Sequence, residues 1–250
     1  MNNQEFSPRE ALEHAFGRWW VIVLLTVLGG IAGWIFHFFI PPVYEATSII
    51  TVNMDFQKRH LTQYEEDYVI GAAGAIATSD KVENQIIAEA KIRGIPIELD
   101  QLQQQMFMEQ KQPVWELHIR NQDPKIAAEL ANLWAQKFYE ALNTALGHAI
   151  RVDEIQTKID SIKGSLTASG SSVLGSEAQI TLKTLSDELL PEQQSSHGII
   201  SIMKFTQTES AVTPQGPVIY RLADLVLAGA CIGFLISLWV VSSYKVQKHV

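Results

Sequence analysis

Long apolar sequence occurs twice in this chain, from Trp19 to Ile40 and from Leu222 to Val241, and the roughly 180 residues between them alternate apolar and polar positions like an ordinary folded domain. At about 1.5 Å of rise per residue, each apolar stretch is long enough to cross a hydrocarbon layer about 30 Å thick once. The pattern predicts two transmembrane helices flanking one large domain. The first stretch contains no formal charge, and Trp19, Trp20, Trp34, Phe36, Phe38 and Phe39 lie toward its two ends, where interfacial aromatic belts form. A cleaved secretory signal is the competing reading. The run exceeds a signal's usual apolar region, and PPVYE follows it in place of a small-x-small cleavage site. In the second stretch Asp224 lies three residues after Arg221, one turn from the helix start, which favours a snorkelled or i,i+3-paired group at the interface over a functional one.

Between the spans, Tyr44 to Val52 is β-branched and alternating, a strand that begins directly after the helix-ending Pro41 and Pro42. Residues 77–96 read as a helix: Asp80 and Glu83 have capping-box spacing, Val82, Ile86, Ile87 and Ala90 share a face, and Gly94 with Pro96 supplies the stop. A short helix is expected over Leu99 to Glu109. Residues 113–121 then alternate, with Trp115, Leu117 and Ile119 on one face and Glu116, His118 and Arg120 on the other. Asp123 as N-cap and Pro124 at the first helical position open a long helix reaching about Gly164. Its second half narrows to a seam of Ile155, Ile159, Ile162 and Leu166. After a Gly/Ser turn (SGSSVLG), residues 176–192 return as a helix covering that seam through Ile180, Leu182, Leu185 and Leu189. Residues 198–211 form a last strand. The order β, α, α, β, long α, α, β predicts an α+β base with a helical protrusion.

Composition narrows the function. Residues 41–221 carry 15 Lys and Arg against 23 Asp and Glu, a formal charge of 15 − 23 = −8, so nucleic acid is not an expected partner. The single cysteine, Cys231, lies in the second span, so the domain between the spans has neither a disulfide nor a thiolate metal site. No P-loop is present, and neither a nucleophile, a metal cluster nor a catalytic carboxylate pair is evident; Glu65, Glu66 and Asp67 read as a solvated run. No enzyme activity, cofactor or metal is expected. Lys and Arg near the membrane are balanced, with Arg9, Arg18, Lys245 and Lys248 in the tails and Lys58, Arg59, Lys204 and Arg221 at the loop edges. Long loops translocate regardless of charge and SSYKVQKHV abuts the second span, so both tails are assigned to the cytoplasm.

Three blocks resemble the Wzz-type chain-length determinants, the polysaccharide copolymerases of bacterial surface-glycan synthesis. They are RWWVIVLLTVLGG with PPVYEATSIITV, then WELHIRNQDPKIAAELANLWAQKF, and AVTPQGPVIYRLADLVLAGACIGFLISL, in which Pro214 and Pro217 precede the closing span. The chain departs from the pattern at Tyr220, where a third proline often stands, and in its shortness, which implies a shorter protrusion. The resemblance implies a nonenzymatic multi-pass protein of the inner membrane, assembled as a homo-oligomer. It would act with an integral-membrane polymerase on a growing polysaccharide (O-antigen, capsule or exopolysaccharide) to set its length. It divides the chain into a cytoplasmic tail (1–18), a span (19–40), an extracytoplasmic domain (41–221) with a long helix over about 124–164, a span (222–241) and a cytoplasmic tail (242–250). An alternative among short relatives is a membrane adaptor that activates a separate cytoplasmic tyrosine kinase; nine residues after Val241 are few for docking one. A two-span sensor would need an output module that neither tail has room for. Both spans contain Gly-x-x-x-Gly, Gly29 with Gly33 and Gly229 with Gly233, expected to let the two helices approach closely. Pro214 and Pro217 are expected to stiffen the re-entry to the second span.

Overall fold

A computed structural model describes residues 19–57, 60–169, 174–219 and 221–243. Arg9, Arg18, Lys58, Arg59, Tyr220, Lys245, Lys248 and residues 170–173 of the expected Gly/Ser turn lie outside them. The chain folds as two units: Met1–Tyr44 with Gln215–Val250, and Glu45–Pro214.

The first unit is built on two apolar helices, α1 (Trp19–His37) and α7 (Leu222–Ser243). Helix α1 stops three residues short of Ile40. Phe38 and Phe39 donate to the carbonyls of Ile35 and Phe36 in tighter i−3 turns, and Ile40 precedes Pro41, whose ring disfavours helical geometry in the residue before it. Arg221 Nε donates to the Pro217 carbonyl at 3.0 Å, a bond that closes the turn into α7, so of the two bland readings of Asp224, snorkelled or paired with Arg221, the pairing is not the one formed.

The second unit carries a four-stranded sheet of β1 (Tyr44–Met54), β2 (Met106–Lys111), β3 (Val114–Asn121) and β4 (Met203–Glu209), in the order β2-β3-β1-β4. Strand β1 (Tyr44–Met54) buries Ala46, Ser48, Ile50, Val52 and Met54 on one face and runs two residues past the expected Val52. It is followed by α2 (Gln63–Ala75), a helix absent from the sequence reading. Thr62 and Glu65 form a reciprocal capping box at its start, so the Glu65 to Asp67 run contains a structural cap. A 3₁₀ turn (Ile76–Thr78) leads into α3 (Asp80–Ile92). The N-cap of α3 is Ser79 rather than Asp80, and Ser79 Oγ donates back to the Ile76 carbonyl. The Asp80–Glu83 capping box therefore does not form. Glu83 is instead buried and accepts from Gln103 Nε2 at 2.8 Å. Gly94, at φ +78°, ends α3 with Ile95 N donating to the Ala90 carbonyl.

Helix α4 spans Leu99–Gln105 only. Where helix was expected to Glu109, the chain turns into β2 (Met106–Lys111), which pairs antiparallel with β3 (Val114–Asn121) from Met106↔Ile119 to Lys111↔Val114. The hairpin ladder overrides the helical preference of the Gln-rich segment. Trp115, Leu117 and Ile119 are fully buried, as their alternation required.

Helix α5 runs from Pro124 to Ser169, 46 residues and about 69 Å, five residues beyond Gly164. Asp123 Oδ1 accepts from the Lys125 amide at 2.8 Å, the expected cap. Its first half packs Leu130, Trp134, Phe138 and Leu142 into the core, where Phe138 meets Trp115 with ring centroids 5.5 Å apart and Trp134 Nε1 donates to the Ala77 carbonyl at 2.8 Å. Asn132 clamps the chain after β4 (Met203–Glu209), donating to the Ala211 carbonyl at 2.9 Å and accepting from its amide at 2.7 Å. Beyond the core, α5 is covered by α6 (Leu174–Ser195). The α6 side of the seam is Ala178, Leu182, Leu185 and Leu189, all half-buried. Ile180 is 68% exposed and points away, because the stripe advances by four and three from Ala178. Strand β4 is shorter than expected. Residues 196–202 before it form turns, including Gly198 at φ +80°, and it pairs antiparallel with β1 from Met54↔Met203 to Ile49↔Glu209 across a bulge.

Candidate functional site

The four glycines singled out in the sequence lie at one place, where α1 and α7 touch. A methyl group on Gly29 would overlap the Gly229 carbonyl, one on Gly33 the Leu225 carbonyl, one on Gly229 the Gly29 carbonyl, and one on Gly233 the Leu25 carbonyl. All four collisions are with backbone, which cannot swing aside. By contrast Gly30, beside them, would place a methyl at an ordinary 3.8 Å from Ala230 and Val226. Both helices otherwise expose large apolar side chains: Trp20, Val27, Leu227, Ile232 and Trp239 are each more than half exposed. Cys231 is an exposed residue of α7.

Pro217, half-buried, lends its carbonyl to Arg221, while Val218 N donates to the Val43 carbonyl at 2.8 Å and Val43 bridges Ile219. The chain leaving α1 and the chain entering α7 are thus clipped together. Pro214, also half-buried, is the last residue of the second unit.

The second unit gathers its charges in two clusters that sequence reasoning did not foresee. Between α5 and α6, Glu192 accepts from His148 Nδ1 at 2.5 Å and from Arg151 Nη1 at 3.1 Å. The hydrogen bond from His148, then the charges of His148 and Arg151, hold the Glu192 carboxyl below the usual carboxylate range. On the sheet face opposite the core, Glu45 Oε2 accepts from Arg120 Nε at 2.7 Å and Glu45 Oε1 lies 3.1 Å from His118 Nδ1. Lys111 Nζ donates to Glu116 at 2.9 Å and contacts Glu109 at 3.1 Å, and these two acceptors raise the Lys111 ammonium above its ordinary range. His118 is buried, although its alternation with Trp115, Leu117 and Ile119 had placed it on the open face; the Phe107 ring, 5.5 Å away, covers it. Glu116 and His118 were legible as neighbours on one strand face. Glu109 was not, because its segment read as helix.

Residues 10–93 match the family model Wzz, described as chain length determinant protein. This stretch of the chain is similar to Wzz. This segment covers about a third of the chain, from ahead of α1 through β1, α2 and α3. It includes the first of the three blocks on which the resemblance was read. No curated protein matches the sequence. Among solved structures, a full-length bacterial polysaccharide co-polymerase is 12% identical, with 95% of this chain and 97% of that one covered and a TM-score of 0.41. A fragment of WzzB, a polysaccharide co-polymerase from Salmonella Typhimurium, is 12% identical over 70% of this chain and 98% of that one, with a TM-score of 0.24.

Proposed function

We propose that the protein is a nonenzymatic polysaccharide co-polymerase that sets the chain length of a bacterial surface polysaccharide. The observation that carries this reading is the match of the Wzz segment to residues 10–93. The apolar helices support its membrane half. Only 6% of the α1 window and 11% of the α7 window is buried, whereas a core helix of a soluble protein would be covered by its neighbours. On this reading both helices cross the inner membrane, residues 41–221 lie outside the cytoplasm, and the tails 1–18 and 242–250 lie inside. The protein works as a homo-oligomer beside an integral-membrane polymerase whose product runs over it. The glycine contact fixes the two spans against each other, and Pro214 and Pro217 stiffen the passage into the second.

The test is the length distribution of surface polysaccharide, resolved as a gel ladder, in a strain lacking the protein and after its return. The expected result is polymer still made but without a preferred length, restored on complementation. An unchanged ladder overturns the proposal, and a change in phosphorylation of a cytoplasmic tyrosine kinase in the same strain would then point to the adaptor role.

A further inference from the structure

The polar face of the sheet brings three metal-ligand side chains together. The β2–β3 register sets Glu109 opposite Glu116 and Phe107 opposite His118, so both carboxylates and the imidazole share one patch. One ligand atom from each of Glu109, Glu116 and His118 lies within 4.8 Å of the other two. His118 Nε2 is 3.5 Å from Glu116 Oε2 and 4.0 Å from Glu109 Oε2. Ligands bound at about 2.0–2.1 Å around a tetrahedral ion stand about 3.3–3.4 Å apart, close to the separations of His118 from the two carboxylates.

The state of the histidine points to a cation independently of the carboxylates. His118 is 8% exposed, and its Nε2 has no hydrogen-bond partner. Its Nδ1 lies 2.9 Å from Thr47 Oγ1 and 3.1 Å from Glu45 Oε1. With Nδ1 donating to the Glu45 carboxylate, which only accepts, Nε2 presents a lone pair. Three acceptors then converge on one point. Nε2 makes no hydrogen bond, and the nearer carboxylate oxygen stands 3.5 Å from it. A carboxylate behind the far nitrogen of an imidazole is the outer support that metal-ligating histidines use. The point already attracts a positive charge: Lys111 Nζ sits on both Glu109 and Glu116, on a side chain 53% exposed and free to swing out.

We propose that Glu109, Glu116 and His118 form a site for a divalent transition-metal ion of zinc's class. Glu45 and Thr47 orient the imidazole, and Lys111 is the resident cation that the metal displaces. One nitrogen and two carboxylate oxygens without a thiolate suit zinc over softer ions, and three protein ligands leave a fourth position open to water. The ion would bind the β2–β3 hairpin to itself and, through Glu45, to β1. This assignment stands apart from the proposed role in chain-length control.

The test is calorimetric titration of zinc chloride into the full chain, purified in detergent and stripped of metal, with magnesium chloride as the contrast. One zinc per chain is expected, with magnesium weaker by tenfold or more. His118→Ala and Glu109→Gln should each weaken zinc by about tenfold or more, and Glu45→Gln by about 10- to 100-fold. Glu109 is 44% exposed, so its variant reports on ligation even if His118→Ala disturbs the sheet. Lys111→Met should tighten binding by about tenfold, since no like charge has to leave. The assignment is overturned if neither the wild type nor Lys111→Met binds zinc saturably, or if His118→Ala and Glu109→Gln bind it as tightly as the wild type.

Discussion

At the α1–α7 contact, the decisive chemistry is the absence of a side chain. Gly29, Gly33, Gly229 and Gly233 each face a carbonyl of the opposite helix at a separation that any Cβ would violate. Substituting Gly33 or Gly229 by leucine should destabilise the pair by about 1–3 kcal/mol, the usual cost of overpacking, whereas Gly30→Ala, with space available, should be neutral. Thermal unfolding in detergent distinguishes the two, and equal effects at Gly33 and Gly30 would refute the geometry. The spacing of these glycines was visible in the sequence; what each one meets was not, since that depends on the rotation of both helices. Asn132 is the opposite case. As a polar residue on a helix otherwise buried on that side it gave no warning of its role, which is to satisfy both backbone groups of Ala211, 79 positions away.

The elements that were legible are those whose period survives burial. Strand β3 and helix α5 carry clean stripes of Trp115, Leu117, Ile119 and of Leu130, Trp134, Phe138, and both were found. Helix α2 was missed although its buried residues, Val69, Ile70, Ala73 and Gly74, recur one turn apart, because the second pair is Ala and Gly and the apolar stripe is weak; the Thr62-x-x-Glu65 cap was the available signal. Strand β2 is held by its neighbour, which no local pattern reports, and with it went Glu109 and the polar cluster. The α5–α6 pairing can be tested through its ion pair. Because the folded-state pKa of Glu192 lies below its ordinary 4.5, its contribution is fully present above that value and is lost as pH falls through the lowered folded pKa. The acid limb of the pH–stability curve should therefore flatten in Glu192→Gln, measured by urea unfolding from neutral pH down to about pH 3; an unchanged limb would assign acid sensitivity elsewhere.

At the scale of the molecule, the second unit has its own core, from β1 through α5 to β4, and Trp115, Trp134 and Phe138 lie at its centre. Expressed as residues 45–214 without the apolar helices, it should unfold cooperatively, with a sigmoidal melt in circular dichroism; a gradual loss of signal would show that its stability is borrowed from the rest of the chain. Its entry and exit are adjacent, since β1 and β4 are antiparallel neighbours and Ile49 faces Glu209. Beyond the core, the described parts of α5 and α6 pack on each other along Ile155, Ile159 and Ile162 on one arm and Leu182 and Leu185 on the other. Two arms paired along one stripe behave like a telescoping rule. Seven residues spliced into each arm keep the stripe in phase and add about 10 Å of reach, while the sheet, the clamp at Ala211 and the doorway stay as they are. Relatives of different reach can thus be made by gene segments that change in steps of a heptad, with selection acting on length alone.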